Sequence, residues 1–192
     1  MFHVRWLALS LLVFSIPSGH ASAQARALLV HGYAGRMFPA LNLSDLGDDL
    51  SPGRAYGGGL GIQLGPTSAL RATVSISKSN HRGPTLDLGD PTTTRTYYGL
   101  DLMFGAPTDG GLAPYVFFGS GRMTIDPAES GIDTAAELAG RVGTGLNYVP
   151  DNSFFVLFVE VCGWLYEFDM FGFKKLQFDT SVQGGLVFAV PF

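Results

Sequence analysis

Apolar and polar residues alternate along most of this chain, and the last segment shows the pattern clearly. Between residues 179 and 192, one parity is apolar and contains Leu186, Phe188, Val190 and the C-terminal Phe192. The other parity carries small or polar residues. Because successive side chains of a strand point to opposite faces, this pattern predicts a strand with one apolar face.

Segments of this kind recur from residue 27 to the C-terminus, and together they predict eight strands. These strands span residues 27–38, 54–64, 69–80, 93–105, 113–123, 134–149, 154–166 and 176–192. The connections alternate between short turns (65–68, 106–112, 150–153) and longer polar loops (39–53, 81–92, 124–133, 167–175). Short turns rich in Gly, Pro, Asp and Asn favour tight reversals of the chain. The sequence therefore predicts an all-β, antiparallel, up-and-down meander whose two ends differ.

Glycine decides which face of the predicted strands points inward. In the second predicted strand, large apolar residues alternate with Gly57, Gly59 and Gly61, and in the third they alternate with polar residues such as Arg71. A core filled by glycine would be hollow, so we expect the apolar parity to face lipid and the small or polar parity to face a narrow lumen. A lipocalin-like soluble barrel of opposite parity stays open as the alternative. The parity of the first and fifth predicted strands is ambiguous.

The N-terminus has the features of a secretory signal peptide. Arg5 precedes an apolar run over residues 6–16, and small residues occupy 21–23. This run is shorter than the ~20 apolar residues that a membrane-spanning helix needs. We expect residues 1–23 to be cleaved before Gln24, which leaves residues 24–192 as one barrel domain.

Composition excludes some classes of function. The net charge of -4 and the lack of a basic run disfavour nucleic acid as a partner. The single cysteine, Cys162, excludes an internal disulfide framework for an exported chain. We expect no cofactor and no bound metal.

Three segments together resemble a known group of proteins. Residues 98–105 (YGLDLMFG), 113–121 (APYVFFGSG) and 140–148 (GRVGTGLNY), with the terminal Phe192, are similar to the eight-stranded outer-membrane β-barrel superfamily of Gram-negative bacteria. This superfamily includes the OmpX-like and OmpA-barrel-like proteins. The resemblance implies a monomeric transmembrane barrel with short periplasmic turns and longer extracellular loops. It also implies outer-membrane lipid and lipopolysaccharide as surroundings, and the barrel-assembly machinery as a partner that reads Phe192, Val190, Phe188 and Leu186.

The parity that is expected to face the lumen carries four charged residues: Arg71, Asp101, Arg141 and Glu160. Buried charges are unfavourable unless they are paired, so we expect a salt-bridge network that fills the lumen. An eight-stranded barrel is only just wide enough for side chains to fill it. A functional polar pocket is the alternative.

Other residues suggest further hypotheses. Ser79 and His81 share one face near Asp87 and Asp90, which suggests a lipid-modifying hydrolase, although the spacing matches no hydrolase motif. Asp45, Asp48 and Asp49 are candidate calcium ligands, against a solvated loop as the alternative. Basic residues near the long loops are expected at the outer rim, where they solubilise the rim or, as the alternative, bind lipopolysaccharide phosphates. Aromatic residues near strand ends are expected in an interfacial girdle. The basic set is Arg36, Arg54, Arg82, Arg95, Lys174 and Lys175, and the aromatic set is Tyr56, Phe104, Tyr148, Phe154, Trp164 and Tyr166.

These observations favour a non-catalytic outer-membrane protein with a structural role in the envelope or with loops for surface contacts. A narrow pore for small solutes and a lipid-modifying enzyme that uses the Ser79/His81 region are the alternatives.

Overall fold

The protein folds as an antiparallel β-barrel. The computed structural model describes residues 27–39, 49–83, 92–105, 111–128, 133–151, 153–170 and 173–191. The strands in these ranges are β1 (Ala27–Pro39), β2 (Asp49–Leu50), β3 (Gly53–Gly65), β4 (Ser68–Arg82), β5 (Thr92–Gly105), β6 (Gly111–Pro127), β7 (Ala135–Val149), β8 (Phe155–Met170) and β9 (Phe173–Pro191). Among the described residues there is no helix long and apolar enough to span a membrane.

Eight long strands close the barrel. Each long strand pairs with the next one along the chain, β1 pairs with β9, and β4 pairs with β5, so the sheet has no free edge among these strands. The predicted eight-stranded up-and-down topology is therefore confirmed. The two-residue β2 is an addition at the long-loop end, where Asp49 and Leu50 pair with Arg82 and His81 of β4.

The apolar parity faces outward and the polar parity faces the lumen, as predicted. Leu60 and Leu100 are 53% and 55% exposed, whereas Asp101, next to Leu100, is fully buried. This arrangement rules out the alternative of a soluble barrel with opposite parity. It also assigns the two ambiguous strands, because β1 turns His31 and Tyr33 inward and β6, which corresponds to the fifth predicted strand, turns Tyr115 and Phe117 inward.

Several strands are longer than predicted at the long-loop end. Residues 167–170 and 173–175, which were expected in a loop, extend the β8–β9 hairpin to the pair Met170↔Phe173. The inward parity stays buried there at Phe168, whereas the outward parity turns polar at Asp169 and Lys174. The apolar-outward pattern therefore ends while the strands continue, which made these segments resemble a loop.

Several predictions fall outside the described residues. The signal peptide over residues 1–23, the assembly residue Phe192, and Asp45, Asp48, Asp87 and Asp90 all belong to this group. The signal peptide and the assembly role stay predictions.

Candidate functional site

The four charged residues that were expected in the lumen lie in contact with one another. Arg71 on β4 donates from Nε to Asp101 Oδ2 at 3.0 Å and from Nη1 to Glu160 Oε2 at 3.0 Å. Arg141 on β7 donates to Asp101 Oδ2 and, from Nη2, to Glu160 Oε1 at 2.6 Å. All four residues are at most 5% exposed. Two guanidinium groups and two carboxylates thus alternate in a closed cycle of ion pairs, which we call the lumenal network.

Neutral groups add hydrogen bonds to the two carboxylates. Glu160 accepts hydrogen bonds from Tyr115 Oη at 2.9 Å and Gln183 Nε2 at 2.7 Å. Asp101 accepts one from Thr73 Oγ1 at 2.9 Å. A buried ion pair is favourable only when further hydrogen bonds satisfy its remaining lone pairs and protons. The network meets this condition at Glu160, whereas Asp101 Oδ1 and Arg141 Nε have no hydrogen-bond partner among the described residues.

Aromatic rings pack against the two arginines. Arg71 and Arg141 lie over the Phe117 ring at 4.9 Å and 4.7 Å from its centroid, and Arg141 also lies 4.8 Å from the Trp164 centroid. Such cation–π contacts contribute more when the groups are desolvated, as they are here. The rings thus fill the part of the lumen that the ion pairs leave open.

A second ion pair, which the sequence reasoning missed, lies nearer the long-loop end. Arg95 on β5 forms an ion pair with Asp179 on β9, and both side chains are fully buried. Tyr166 Oη donates to Asp179 Oδ2 at 2.8 Å, and Arg95 Nη2 donates to Ser79 Oγ at 2.6 Å. Arg95 had been expected at the solvated rim, which is wrong. The signal was available, because Arg95 shares its parity with Asp101.

The expected aromatic girdle is wrong at two positions. Trp164 and Tyr166 are 0% and 1% exposed and point into the lumen, whereas Tyr56 and Phe104 are exposed on the outer face. Trp164 Nε1 donates to Ser181 Oγ at 3.1 Å. Both residues share the parity of Glu160, and this periodicity decides their direction.

The basic rim contains a row of cations on the outward face. Arg36, Arg54 and Lys78 lie directly opposite one another on the adjacent strands β1, β3 and β4, and all three are exposed. None of them forms an ion pair with a described residue. Lys174 differs, because its Nζ lies 2.6 Å from Glu167 Oε1 and 3.2 Å from Asp169 Oδ2. Hydrogen bonds to Glu167 and then Asp169 raise the pKa of Lys174.

An open cavity of about 480 Å³ occupies the lumen at the short-turn end. Its floor includes His31, Arg71 and Tyr115, so it ends at the lumenal network. Beyond the network, towards the long loops, the lumen is packed with buried apolar side chains. This packing involves Met37, Leu50, Tyr97, Met123, Ile125, Trp164 and Phe168.

Within the described residues, the other candidate groups do not form a complete site, and Asp45, Asp48, Asp87 and Asp90 lie outside those residues. Ser79 Oγ accepts a hydrogen bond from the Arg95 guanidinium. Cys162 is buried and donates from Sγ to Glu160 Oε1 at 3.0 Å. Asp49 is the one proposed calcium ligand among the described residues. Its backbone lies opposite that of Arg82 in the β2–β4 strand pairing. Within the described ranges, no group of three His, Cys, Asp or Glu residues is placed to hold a metal ion.

Several bacterial outer-membrane proteins of known structure have a fold similar to that of this barrel. Neisserial surface protein A superposes with a TM-score of 0.60 at 14% identity, covering 86% of this chain and 99% of that one. OprG from Pseudomonas aeruginosa gives 0.53 at 13% identity, covering 86% and 96%. AlkL, whose structure was determined in DMPC lipid bilayers, gives 0.53 at 15% identity, covering 93% and 97%. At these identities the likeness shows the fold alone.

A search of curated proteins finds no significant match. The family model described as "Outer membrane protein beta-barrel domain" matches residues 7–184, which is most of the chain. This chain therefore belongs to the outer membrane protein β-barrel domain family.

Proposed function

We propose that this protein resides in the outer membrane as a closed, non-catalytic barrel that supports envelope integrity or holds its long loops for surface contacts. The observation that carries the proposal is the lumenal network. Its ion pairs join β4 to β8 and β5 to β7, so charged side chains cross the lumen in more than one direction. On β3 the outward-facing residues from Tyr56 to Leu64 are apolar or glycine, which fits the about 9–11 residues that a tilted strand needs to cross a lipid bilayer.

The network argues against a narrow solute pore. A solute that entered at the short-turn end would reach Arg71 and Tyr115, whose polar atoms are already hydrogen-bonded to Glu160. Separating a buried ion pair leaves a desolvated charge, which costs about 3–5 kcal/mol. The packed apolar side chains beyond the network would have to move as well.

Ser79 supports the non-catalytic part of the proposal. A nucleophilic serine needs a general base that accepts its proton. The Ser79 hydroxyl instead accepts a hydrogen bond from a guanidinium group, which cannot act as a base at neutral pH.

The surroundings that we propose are lipopolysaccharide and, during insertion, the assembly machinery. Like charges directly opposite each other in a sheet are destabilising, so the row Arg36–Arg54–Lys78 favours an anion between its members. The row lies at the long-loop end of the outward face, two pairs beyond Tyr56 and Ile76 in the β3–β4 register. A phosphate group of an outer-leaflet lipid has the opposite charge and would lie at the depth of this row. Leu186, Phe188 and Val190 lie exposed on the outer face of β9, where another protein can reach them.

Bilayer conductance and membrane fractionation test the proposal together. We expect the protein in the outer-membrane fraction, with gel migration that changes on boiling, and no steady conductance in planar bilayers. A large porin in the same bilayers serves as the positive control for conductance. A variant with Arg71, Asp101, Arg141 and Glu160 all replaced by Ser should also stay closed, because the apolar side chains beyond the network still fill the lumen. Its folding is checked by the same gel shift. Steady conductance by the natural sequence would overturn the closed-barrel proposal, and a soluble periplasmic protein would overturn the membrane location.

A further inference from the structure

The outer face of the barrel contains a shallow groove beside the row of cations. Its floor consists of four small residues that point outward from three adjacent strands: Gly58 on β3, Gly32 and Ala34 on β1, and Gly184 on β9. Gly58 lies directly opposite Gly32, and Ala34 lies directly opposite Gly184, so the four positions are contiguous. Larger outward side chains border this floor, namely Tyr56, Leu60, Val30 and Leu186. We call this feature the outer groove.

The barrel wall has room for a side chain at Gly32, in the centre of the outer groove. A Cβ there would lie 3.9 Å from the nearest atom, the Gly57 carbonyl oxygen, which is an ordinary contact. At Gly58, by contrast, a Cβ would lie 2.6 Å from the His31 carbonyl oxygen, so the approach of the two backbones accounts for that glycine. Glycine within a strand marks a bulge, a close backbone or a close ligand, and β1 is in regular register with β3 and β9. Gly32 therefore indicates an occupant outside the barrel wall.

The outer groove leads directly to the row of cations. Arg36 occupies the next outward position of β1 after Ala34, and Arg54 and Lys78 continue the row on β3 and β4. Two strand spacings, about 10 Å, separate the first and the last cation. A row of this width can contact a headgroup that carries more than one phosphate, since each guanidinium or ammonium binds phosphate oxygens.

Charge excludes a second copy of this chain as the occupant. In a symmetric pair that buries the outer groove of each copy, the two rows of cations would face each other at one depth and repel. In a bilayer, an acyl chain covers the floor of the groove in any case. The headgroup directly above the groove decides which lipid supplies that chain, and the three cations favour an anionic one.

We infer that the outer groove and the row of cations together bind one molecule of lipid A, the phosphorylated and acylated anchor of lipopolysaccharide. Its phosphates contact Arg36, Arg54 and Lys78, and one acyl chain lies in the groove over Ala34 and Gly32. Small residues let the chain approach the backbone closely, which increases its dispersion contacts. The inference rests on the proposed outer-membrane location and adds to it a site for a single lipid and its chain.

The test is a titration of the purified protein in phosphatidylcholine nanodiscs with increasing mole fractions of lipid A, monitored by valine methyl NMR signals. Val182, which lies opposite Arg36, reports on the site, and Val142 reports on lipid A elsewhere on the outer face. We expect a saturable shift at Val182 and a non-saturable change at Val142. G32L fills the groove, so it should raise the mole fraction at half-saturation by about tenfold, because chain contacts are lost.

G140L is the matched control variant. Gly140 also faces outward, on β7, and a Cβ there would also lie 3.9 Å from the nearest atom, so G140L should leave the titration unchanged. A34L fills the other end of the groove and should act like G32L, which keeps the test decisive if one of the two variants fails to fold. Folding is checked by the heat-dependent gel shift.

Two further ligands separate the chain from the headgroup. Deacylated lipid A has the same phosphates without chains, and it should bind at least tenfold more weakly and equally to G32L and the natural sequence. Phosphatidylglycerol has a single phosphate, and it should need a higher mole fraction than lipid A.

Several results would overturn the inference. These are equal half-saturation in G32L, A34L and G140L, equal binding of deacylated lipid A or of phosphatidylglycerol, and a shift at Val182 that simply follows Val142. Fractionation and conductance test the proposed function separately, so the two failures are distinguishable.

Discussion

Arg95 and Asp179 form an ion pair across the full width of the barrel. Their strands, β5 and β9, are four positions apart in a closed ring of eight long strands, so they lie on opposite sides of the lumen. The Arg71–Glu160 pair repeats this relationship between β4 and β8. Two cross-lumen ion pairs at different heights thus connect opposite walls of the barrel.

Breaking the Arg95–Asp179 pair from one side should destabilise the barrel strongly. In D179N the Arg95 guanidinium stays buried without a counter-charge, and such a change typically costs about 3–5 kcal/mol. The double variant R95M/D179L removes both charges, and it should recover most of the lost stability because buried pairs are often replaceable by apolar residues. Urea unfolding in lipid vesicles, followed by the heat-dependent gel shift, measures both.

The matched control is D169N, which neutralises an exposed partner of Lys174 on the neighbouring strand β8. Exposed ion pairs contribute little, so its unfolding midpoint should equal that of the natural sequence. If D179N behaved like D169N, the buried pair would have no role in stability.

Parity explains how much of this structure could be predicted from the sequence. Strand number, topology and the inward direction of Arg71, Asp101, Arg141 and Glu160 all follow from a period of two, which is local. Arg95 was misplaced because it lies among polar threonines at the start of β5, next to a long loop, and its partner Asp179 is 84 residues away. The register that brings such residues to opposite walls is set by closure of the whole barrel, and no single segment contains that information.

Two glycines on β7 should differ sharply in their tolerance of alanine. A Cβ at Gly143 would collide with the Phe117 ring, reaching Cε1 at 2.6 Å, whereas the nearest atom to a Cβ at Gly140 is the Leu165 carbonyl oxygen at 3.9 Å. The Phe117 ring is held beneath Arg71 and Arg141, so it has little freedom to move.

We therefore expect G143A to lower the free energy of unfolding by about 1–3 kcal/mol, as overpacked cores do. G140A should be neutral or slightly stabilising, since alanine restricts the unfolded chain. The same urea titration compares the two variants, and equal stability would mean that the rings have room to shift.

The direction of Trp164 is open to a spectroscopic test. Trp164 is the one tryptophan outside the predicted signal peptide, and Trp6 is replaced by Phe so that any uncleaved protein does not contribute to the signal. We expect blue-shifted emission, protection from acrylamide, and weak quenching by brominated lipids, because the ring faces the lumen and is fully buried. A W164F/Y56W variant in the same background puts a tryptophan on the outer face, where brominated lipid should quench it strongly. Equal quenching of the two proteins would mean that Trp164 faces lipid in the interfacial girdle and not the lumen.

The row of cations makes a prediction about lipopolysaccharide. Added lipopolysaccharide should raise the thermal unfolding midpoint of the natural sequence, because phosphate bound between Arg36, Arg54 and Lys78 relieves their mutual repulsion. R54Q removes the central cation, and it should reduce this shift by more than half. K174Q also removes one positive charge, but Lys174 already contacts Glu167 and Asp169, so its shift should stay close to that of the natural sequence.

Salt and a second lipid complete this test, since exposed charges are screened over about 10 Å at 0.1 M ionic strength. Raising the salt concentration should diminish the effect of lipopolysaccharide in the natural sequence and in K174Q, and it should change R54Q little. Phosphatidylglycerol, which offers a single phosphate, separates a general preference for anionic lipid from one for the multiply phosphorylated headgroup. Equal shifts in R54Q and K174Q would assign the effect to overall charge, and the row would then have no specific role in lipid contact.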